Sequence, residues 1–183
     1  MTIEAVVALK TLSESKRRLS AVLSDDQRCY LVEAMAQDVL SCLMAHPEID
    51  TVHAVCGEGW TRSVFPDGSL RMWDEGESQK GGLIAAYEMI AAKTAAEGLL
   101  FIHADLPFLG REDISAMIAG SLDHHAVLSP DFSETGTNAV LRWRHQSLPL
   151  CFGEDSFARH QQAAKAAETR WRVVRASGVA RDV

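Results

Sequence analysis

Residues 99–107 read Leu99-Leu100-Phe101-Ile102-His103-Ala104-Asp105-Leu106-Pro107. A strand covered by helices on both faces of a sheet is apolar throughout rather than alternating. LLFIH therefore predicts a buried central strand, Leu99–His103. An aspartate leaves its end and Pro107 stiffens the turn that follows, which fixes a carboxylate at the mouth of a cleft. A hard cation such as Mg²⁺ asks for one or two such carboxylates, with phosphates and waters completing its octahedron. A strand-terminal Asx turn is the alternative reading of the same residues.

Working outward, Ile3–Leu9 is a β-rich apolar run. Asp25–Ala45 carries Leu31, Met35, Val39 and Leu43 at helical spacing, behind an N-cap at Ser24 and acidic residues in the first turn. Thr51–Cys56 reads as a strand, Leu70–Trp73 as a short one and Gly82–Ala96 as a helix that stops at Gly98. Beyond the central strand come a helix over Arg111–Ala119, strands at Ala126–Ser129 and Thr137–Trp143, a helix over Ser156–Glu168 and a last strand at Arg172–Arg175. Strands alternating with helices imply right-handed crossovers and a three-layer α/β/α sandwich with a mostly parallel sheet. The 183 residues suit one domain, 1–183, with a full core. Ligands of such sheets sit at the carboxyl ends of the strands.

Composition narrows the partners. The formal net charge of −7 opposes non-specific nucleic-acid binding, and no stretch approaches the ~20 apolar residues of a membrane span. The N-terminus lacks the basic segment of a signal peptide. The four cysteines lie far apart without a C-x-x-C pair, which suits a reducing cytoplasm. Against the acidic background, Lys10, Lys16, Arg17 and Arg18 cluster directly after the first strand. Such a cluster is either a solvated turn or a seat for a small anion, and Lys and Arg are the side chains that neutralise a triphosphate. Neither a P-loop nor a dinucleotide fingerprint is present.

Two further loops carry anion-binding character. Pro130–Ala139 (PDFSETGTNA) has small hydroxyl and glycine residues that let backbone N–H groups approach an anion. Phe152–His160 (FGEDSFARH) opens a helix whose N-terminus attracts phosphate or carboxylate. Ser156 and His160 stand one turn apart, but no G-x-S-x-G surrounds the serine, and a hydrolase dyad is rejected.

With these motifs in order, the chain resembles the 2-phospho-L-lactate guanylyltransferases of deazaflavin coenzyme biosynthesis, a family that includes phosphoenolpyruvate and 3-phosphoglycerate guanylyltransferases. The resemblance runs through nearly the whole chain. It rests on Val7, Lys10, Leu12, Lys16, Arg18 and Leu19 of the opening motif, AMxxDVL from Ala34 to Leu40, ADLPxL, PDxxxxGTNA and FGxxSFxRH. It implies a Rossmann-like nucleotidyltransferase fold and transfer of GMP from GTP to a small phosphorylated three-carbon acid, with release of pyrophosphate and Mg²⁺ as cofactor. It implies that Lys10, Lys16 and Arg18 face the triphosphate, that Leu9, Lys10, Gly82 and Leu83 bind the nucleotide, and that Thr137, Asn138, Gly153 and Ser156 hold the phospho-acid. Asp105 and Asp182 would be the metal carboxylates. Two departures stand out: Ile84 replaces the asparagine of the family's G-L-N-x-A, and the chain ends at Asp182-Val183 where the family continues D-[IV]-D-T-P. Either the chain is truncated or Asp182 serves in place of the missing aspartate. Other acceptors, such as a molybdopterin or sugar phosphate, and nucleotide binding without turnover are the competing readings. A homodimer is compatible with the sequence, which does not decide it.

Overall fold

Seven strands lie side by side in one sheet in the order β3-β2-β1-β4-β6-β5-β7. In chain order they are β1 (Ile3–Leu9), β2 (Thr51–Cys56), β3 (Leu70–Asp74), β4 (Gly98–Ile102), β5 (Ala126–Pro130), β6 (Thr137–Trp143) and β7 (Trp171–Val173). Four α-helices connect them: α1 (Asp25–Met44), α2 (Leu83–Lys93), α3 (Arg111–Gly120) and α4 (Ser156–Ala166). The computed structural model describes residues 2–62, 65, 70–77 and 82–183. No helix among the described residues is long and apolar enough to cross a membrane.

The layering follows from the two-residue period of the strands. Ile3, Ala5, Val7 and Leu9 of β1 pack with Ala36, Val39, Leu40 and Leu43 of α1 and Ile114, Met117 and Ile118 of α3. Val6 faces the opposite way and joins Ala86, Tyr87 and Ile90 of α2 and Phe157 and Ala164 of α4. β4 divides likewise: Leu100 and Ile102 join the first core, Leu99 and Phe101 the second. The sheet is thus sandwiched between two helical layers, and LLFI is buried because both its faces are covered.

α1 starts where its sequence says it should. The Ser24 hydroxyl accepts from the Gln27 N–H at 3.3 Å, and the Gln27 carbonyl oxygen accepts from the Ser24 N–H at 2.9 Å, a reciprocal cap. α2 ends earlier than its pattern predicts, at Lys93 rather than Ala96. Thr94 turns extended, its hydroxyl accepting from the Ala96 N–H at 3.1 Å and donating to the Glu4 carboxylate of β1. Gly98, expected to stop a helix, opens β4 beneath the Trp143 ring, which would crowd a side chain there at 3.1 Å.

β1 pairs in parallel with β2 on one side and β4 on the other. β6 runs antiparallel between β4 and β5, with Ile102 opposite Ala139 and Phe101 opposite Val140. Reversal places the N-terminal end of β6 beside the carboxyl ends of the parallel strands, so Thr137 and Asn138 meet the residues that leave β4. A side chain at Gly57, just after β2, would lie 2.5 Å from the Thr11 nitrogen and 3.1 Å from the Lys10 carbonyl carbon. Gly57→Ala is therefore expected to push the segment after β1 outward. It should lower thermal stability by about 1–3 kcal/mol and raise the nucleotide KM several-fold in steady-state kinetics; an unchanged KM would separate this contact from ligand binding.

Candidate functional site

The order of the sheet reverses at β1, and the crevice outside the carboxyl ends of β1 and β4 is where a doubly wound sheet binds ligands. A cleft of about 530 Å³ opens there. Leu9, Lys10, Lys16, Arg18, Leu83, Asp105, Thr137, Asn138, Gly153, Ser156 and Asp182 all line it. Gly82 lies outside that lining and faces an adjoining recess of about 220 Å³, which Leu9, Lys10, Leu83 and Glu75 also line. The Gly82 N–H donates to the Glu75 carboxylate at 3.1 Å, and the glycine's φ of +84° is a conformation that other residues adopt rarely. Ile84, at the family's asparagine position, lies in the first turn of α2 with 36% of its surface exposed.

The basic side of the cleft is a loop pinned at several points. Two 3₁₀ turns, Leu12–Glu14 and Arg17–Leu19, fold it back, with Lys16 between them in a left-handed conformation at φ +52°. The buried Arg28 guanidinium donates to the Ser15 carbonyl at 2.9 Å and pairs with Asp25 at 2.5 Å. Trp60 Nε1 donates to the Lys10 carbonyl at 2.8 Å, and its ring stacks on Phe65 with centroids 5.5 Å apart. Trp60 also forms part of the cleft wall. No local motif marks it.

Lys16 Nζ reaches across the cleft to the Asp105 carboxylate and the Val183 carbonyl, and Arg18 donates to the same carbonyl at 3.1 Å. Asp182 stands on the same wall, its carboxylate accepting from Asn138 Nδ2 at 3.2 Å while that amide also donates to the Val179 carbonyl at 2.8 Å. Asn138 is thus a tether for Asp182 and for the final segment of the chain. Among the described residues no group of three or more His, Cys, Asp and Glu gathers as a metal cage. Mg²⁺ does not require one: one or two carboxylates, substrate phosphates and water suffice. Two acidic oxygen donors facing one cleft, one of them already holding an ammonium cation, fit that ion.

His103 was not singled out from the sequence, although a polar residue ending an apolar run was a visible signal. It lines the cleft, with its ring against Phe152 at 5.2 Å. Its Nε2 is buried without a hydrogen-bond partner among the described residues. Burial pushes the imidazole below the ordinary histidine range, and Lys10 and Lys16 act in the same direction against the opposing pull of Asp105 and Asp182. It stands neutral at pH 7.

The loop Pro130–Asn138 behaves differently from expectation. Its backbone N–H groups do not wait for an anion, because the Asp131 carboxylate takes those of Thr135 and Gly136, both at 3.0 Å. The Thr137 N–H donates to Ser156 Oγ at 2.8 Å. At the start of α4 the N–H groups of Ser156 and Phe157 are also taken, by the carbonyls of Gly153 at 3.2 Å and Thr135 at 3.1 Å. A strongly polar loop satisfies its own donors when a carboxylate lies within it. The hydroxyls of Thr137 and Ser156 are donors that this side of the cleft still offers.

Comparisons with known proteins agree with this architecture. The family model "Guanylyl transferase CofC like" matches residues 3–182. The phosphoenolpyruvate guanylyltransferase of Sphaerobacter thermophilus is 32% identical over 184 residues, covering 100% of this chain and 88% of the relative. That of Rubrobacter xylanophilus is 36% identical over 196 residues, covering 100% and 89%. Among solved structures, a candidate nucleotide-diphospho-sugar transferase from Desulfovibrio desulfuricans G20 aligns with a TM-score of 0.75 at 15% identity, covering 96% of this chain and 80% of the other. CMP:2-keto-3-deoxy-manno-octonic acid synthetase complexed with CTP aligns with a TM-score of 0.63 at 10% identity, covering 96% and 90%. The nucleotidyltransferase-like fold read from the sequence is thereby shown, and the chain belongs to the guanylyl transferase CofC-like family.

Proposed function

We propose that this protein transfers GMP from GTP to a small phosphorylated three-carbon acid and releases pyrophosphate. Phosphoenolpyruvate is the foremost acceptor, because that is the acceptor named for its relatives. The observation that carries the reading is one cleft holding the carboxylates of Asp105 and Asp182, the cations of Lys10, Lys16 and Arg18, and the hydroxyls of Thr137 and Ser156. The product belongs, on this reading, to deazaflavin coenzyme biosynthesis.

An acceptor phosphate oxygen attacks the α-phosphorus of GTP. A new P–O–P bond forms, the bond from the α-phosphorus to the bridging oxygen breaks, and pyrophosphate leaves with the electron pair. An ionised phosphate needs no general base, so catalysis is positioning and charge neutralisation. Lys10, Lys16 and Arg18 bind the triphosphate, and Lys16 moves off Asp105 to do so. Thr137 and Ser156 donate hydrogen bonds to the acceptor. Asp105 and Asp182 would hold Mg²⁺, which screens charge on the phosphates when bound.

Purified protein incubated with Mg²⁺, each of the four nucleoside triphosphates and a panel of phospho-acids tests this directly. Pyrophosphate should appear with GTP and phosphoenolpyruvate, and more slowly with 2-phospho-L-lactate or 3-phosphoglycerate. Nucleotide binding without pyrophosphate from any acceptor would reject the reading. Ser156→Ala removes one neutral donor to a charged group, an interaction worth about 1.5–3 kcal/mol, so the acceptor KM should rise roughly 10–150-fold with the GTP KM unmoved.

A further inference from the structure

The geometry points to His160 as a positioning residue that turns the Thr137 hydroxyl into a dedicated hydrogen-bond donor toward the acceptor. The inference rests on the acceptor site proposed above and goes beyond it, naming a residue that sets the polarity of that site without touching the substrate.

His160 lies one turn into α4 and has no exposed surface. Its Nε2 is 2.8 Å from the backbone N–H of Cys151. An amide N–H can only donate, so Nε2 must carry the lone pair, and a neutral imidazole then bears its proton on Nδ1. The ring is neutral, since burial first and the Arg159 cation after it hold its pKa down at about 4, against the opposing effect of the Ser156 backbone. Nδ1 lies 3.1 Å from Thr137 Oγ1. Phe152 packs edge-on to the imidazole with centroids 5.1 Å apart and prevents it from turning.

The consequence concerns one proton. A hydroxyl has one hydrogen to give and two lone pairs to receive with. Thr137 Oγ1 receives from Nδ1–H, so its own hydrogen is directed elsewhere, and Thr137 lines the cleft. Ser156 Oγ is arranged in the same sense, receiving the Thr137 backbone N–H at 2.8 Å. Both hydroxyls thus have a lone pair engaged by a donor that cannot reverse. At these two positions the hydroxyl hydrogens are left to be given to a ligand. Such a pair matches an acceptor that arrives with ionised phosphate and carboxylate oxygens. His160 is not a base in this arrangement, because its proton already points at Thr137 and its lone pair at Cys151.

Two substitutions separate the ring nitrogens. His160→Asn keeps a donor near the Nδ1 position and loses the acceptor for Cys151, whereas His160→Gln keeps that acceptor and loses the donor to Thr137. The expected result is a roughly tenfold rise in acceptor KM for the Gln variant, with the GTP KM and kcat within about twofold of the parent, and recovery of most of the loss in the Asn variant. Built into a Thr137→Val background, whose acceptor KM is already raised, His160→Gln should add nothing. An equal KM in the two single variants, or a Gln effect that persists undiminished beside Thr137→Val, would overturn the inference and mark His160 as a packing residue. If Thr137→Val raises the acceptor KM while His160→Gln does not, only this inference fails. If Thr137→Val and Ser156→Ala both leave that KM unchanged, the acceptor site fails with it. Should the His160 variants not fold, ¹⁵N spectra of the labelled parent decide, because protonation at Nε2 instead of Nδ1 refutes the arrangement.

Discussion

Asp105→Asn is expected to reduce Mg²⁺-dependent pyrophosphate release by roughly 10²–10⁴-fold, the equivalent of several kcal/mol of charge stabilisation. The substitution keeps the shape of the side chain and removes its charge. Asp105 stands at the carboxyl end of the central strand, faces the Lys16 ammonium and shares the cleft with Asp182. Its loss should leave the fold intact, since the ion pair with Lys16 is only partly buried and such pairs contribute about 0–1 kcal/mol. Two measurements are therefore paired: single-turnover pyrophosphate release and thermal unfolding. A variant with near-parental turnover would remove Asp105 from the metal role. A variant that loses activity only together with its melting transition would say nothing about chemistry and would instead assign Asp105 to structure.

Phe101→Ala should be the most destabilising single change in the sheet. Phe101 has no exposed surface and lies on the α2 face of β4. It meets the Tyr87 ring at 5.1 Å and carries the Arg142 guanidinium over its face at 5.2 Å. Truncation leaves a void between strand and helix that well-packed neighbours fill incompletely, at a cost of about 3–5 kcal/mol. The total stability of a domain is commonly 5–15 kcal/mol. The melting temperature should fall by about 6–20 °C, and the urea midpoint should drop with an unchanged slope. A loss below about 1 kcal/mol would contradict the placement of β4 at the centre of the core.

The residues around β4 also show what could be read without a structure. Continuous apolar character in LLFI reported burial on both faces, because that pattern has few other causes, and the strand moved by a single residue, to Gly98–Ile102. The convergence of Lys10, Lys16, Arg18, Asp105 and Thr137 followed from one rule about where sheets of this kind bind ligands. What escaped was set by distant partners. Thr94 ends α2 early through its hydrogen bond to Glu4, 90 residues away. The position of β6 between β4 and β5 rests on strand pairing that no local pattern encodes. The loop after β5 has an anion-binding composition, but the Asp131 carboxylate inside it takes the N–H groups meant for a ligand. Trp60 acts through a single long-range bond to Lys10, and its neighbours in sequence give no sign of it.

The reversed strand β6 has a bearing on how this enzyme class can diversify. On the proposed reading, the nucleotide half of the cleft is carried by loops after β1 and β4 and by the start of α2, and the acceptor half by the β5–β6 connection and the segment entering α4. β6 is held between β4 and β5 by main-chain pairing and by side chains in both cores, whereas its leading loop lies outside the strands that present Lys10 and Asp105. If that reading holds, a change of phosphorylated partner would fall on one hairpin tip and one helix entrance, away from the segments that carry Lys10 and Asp105.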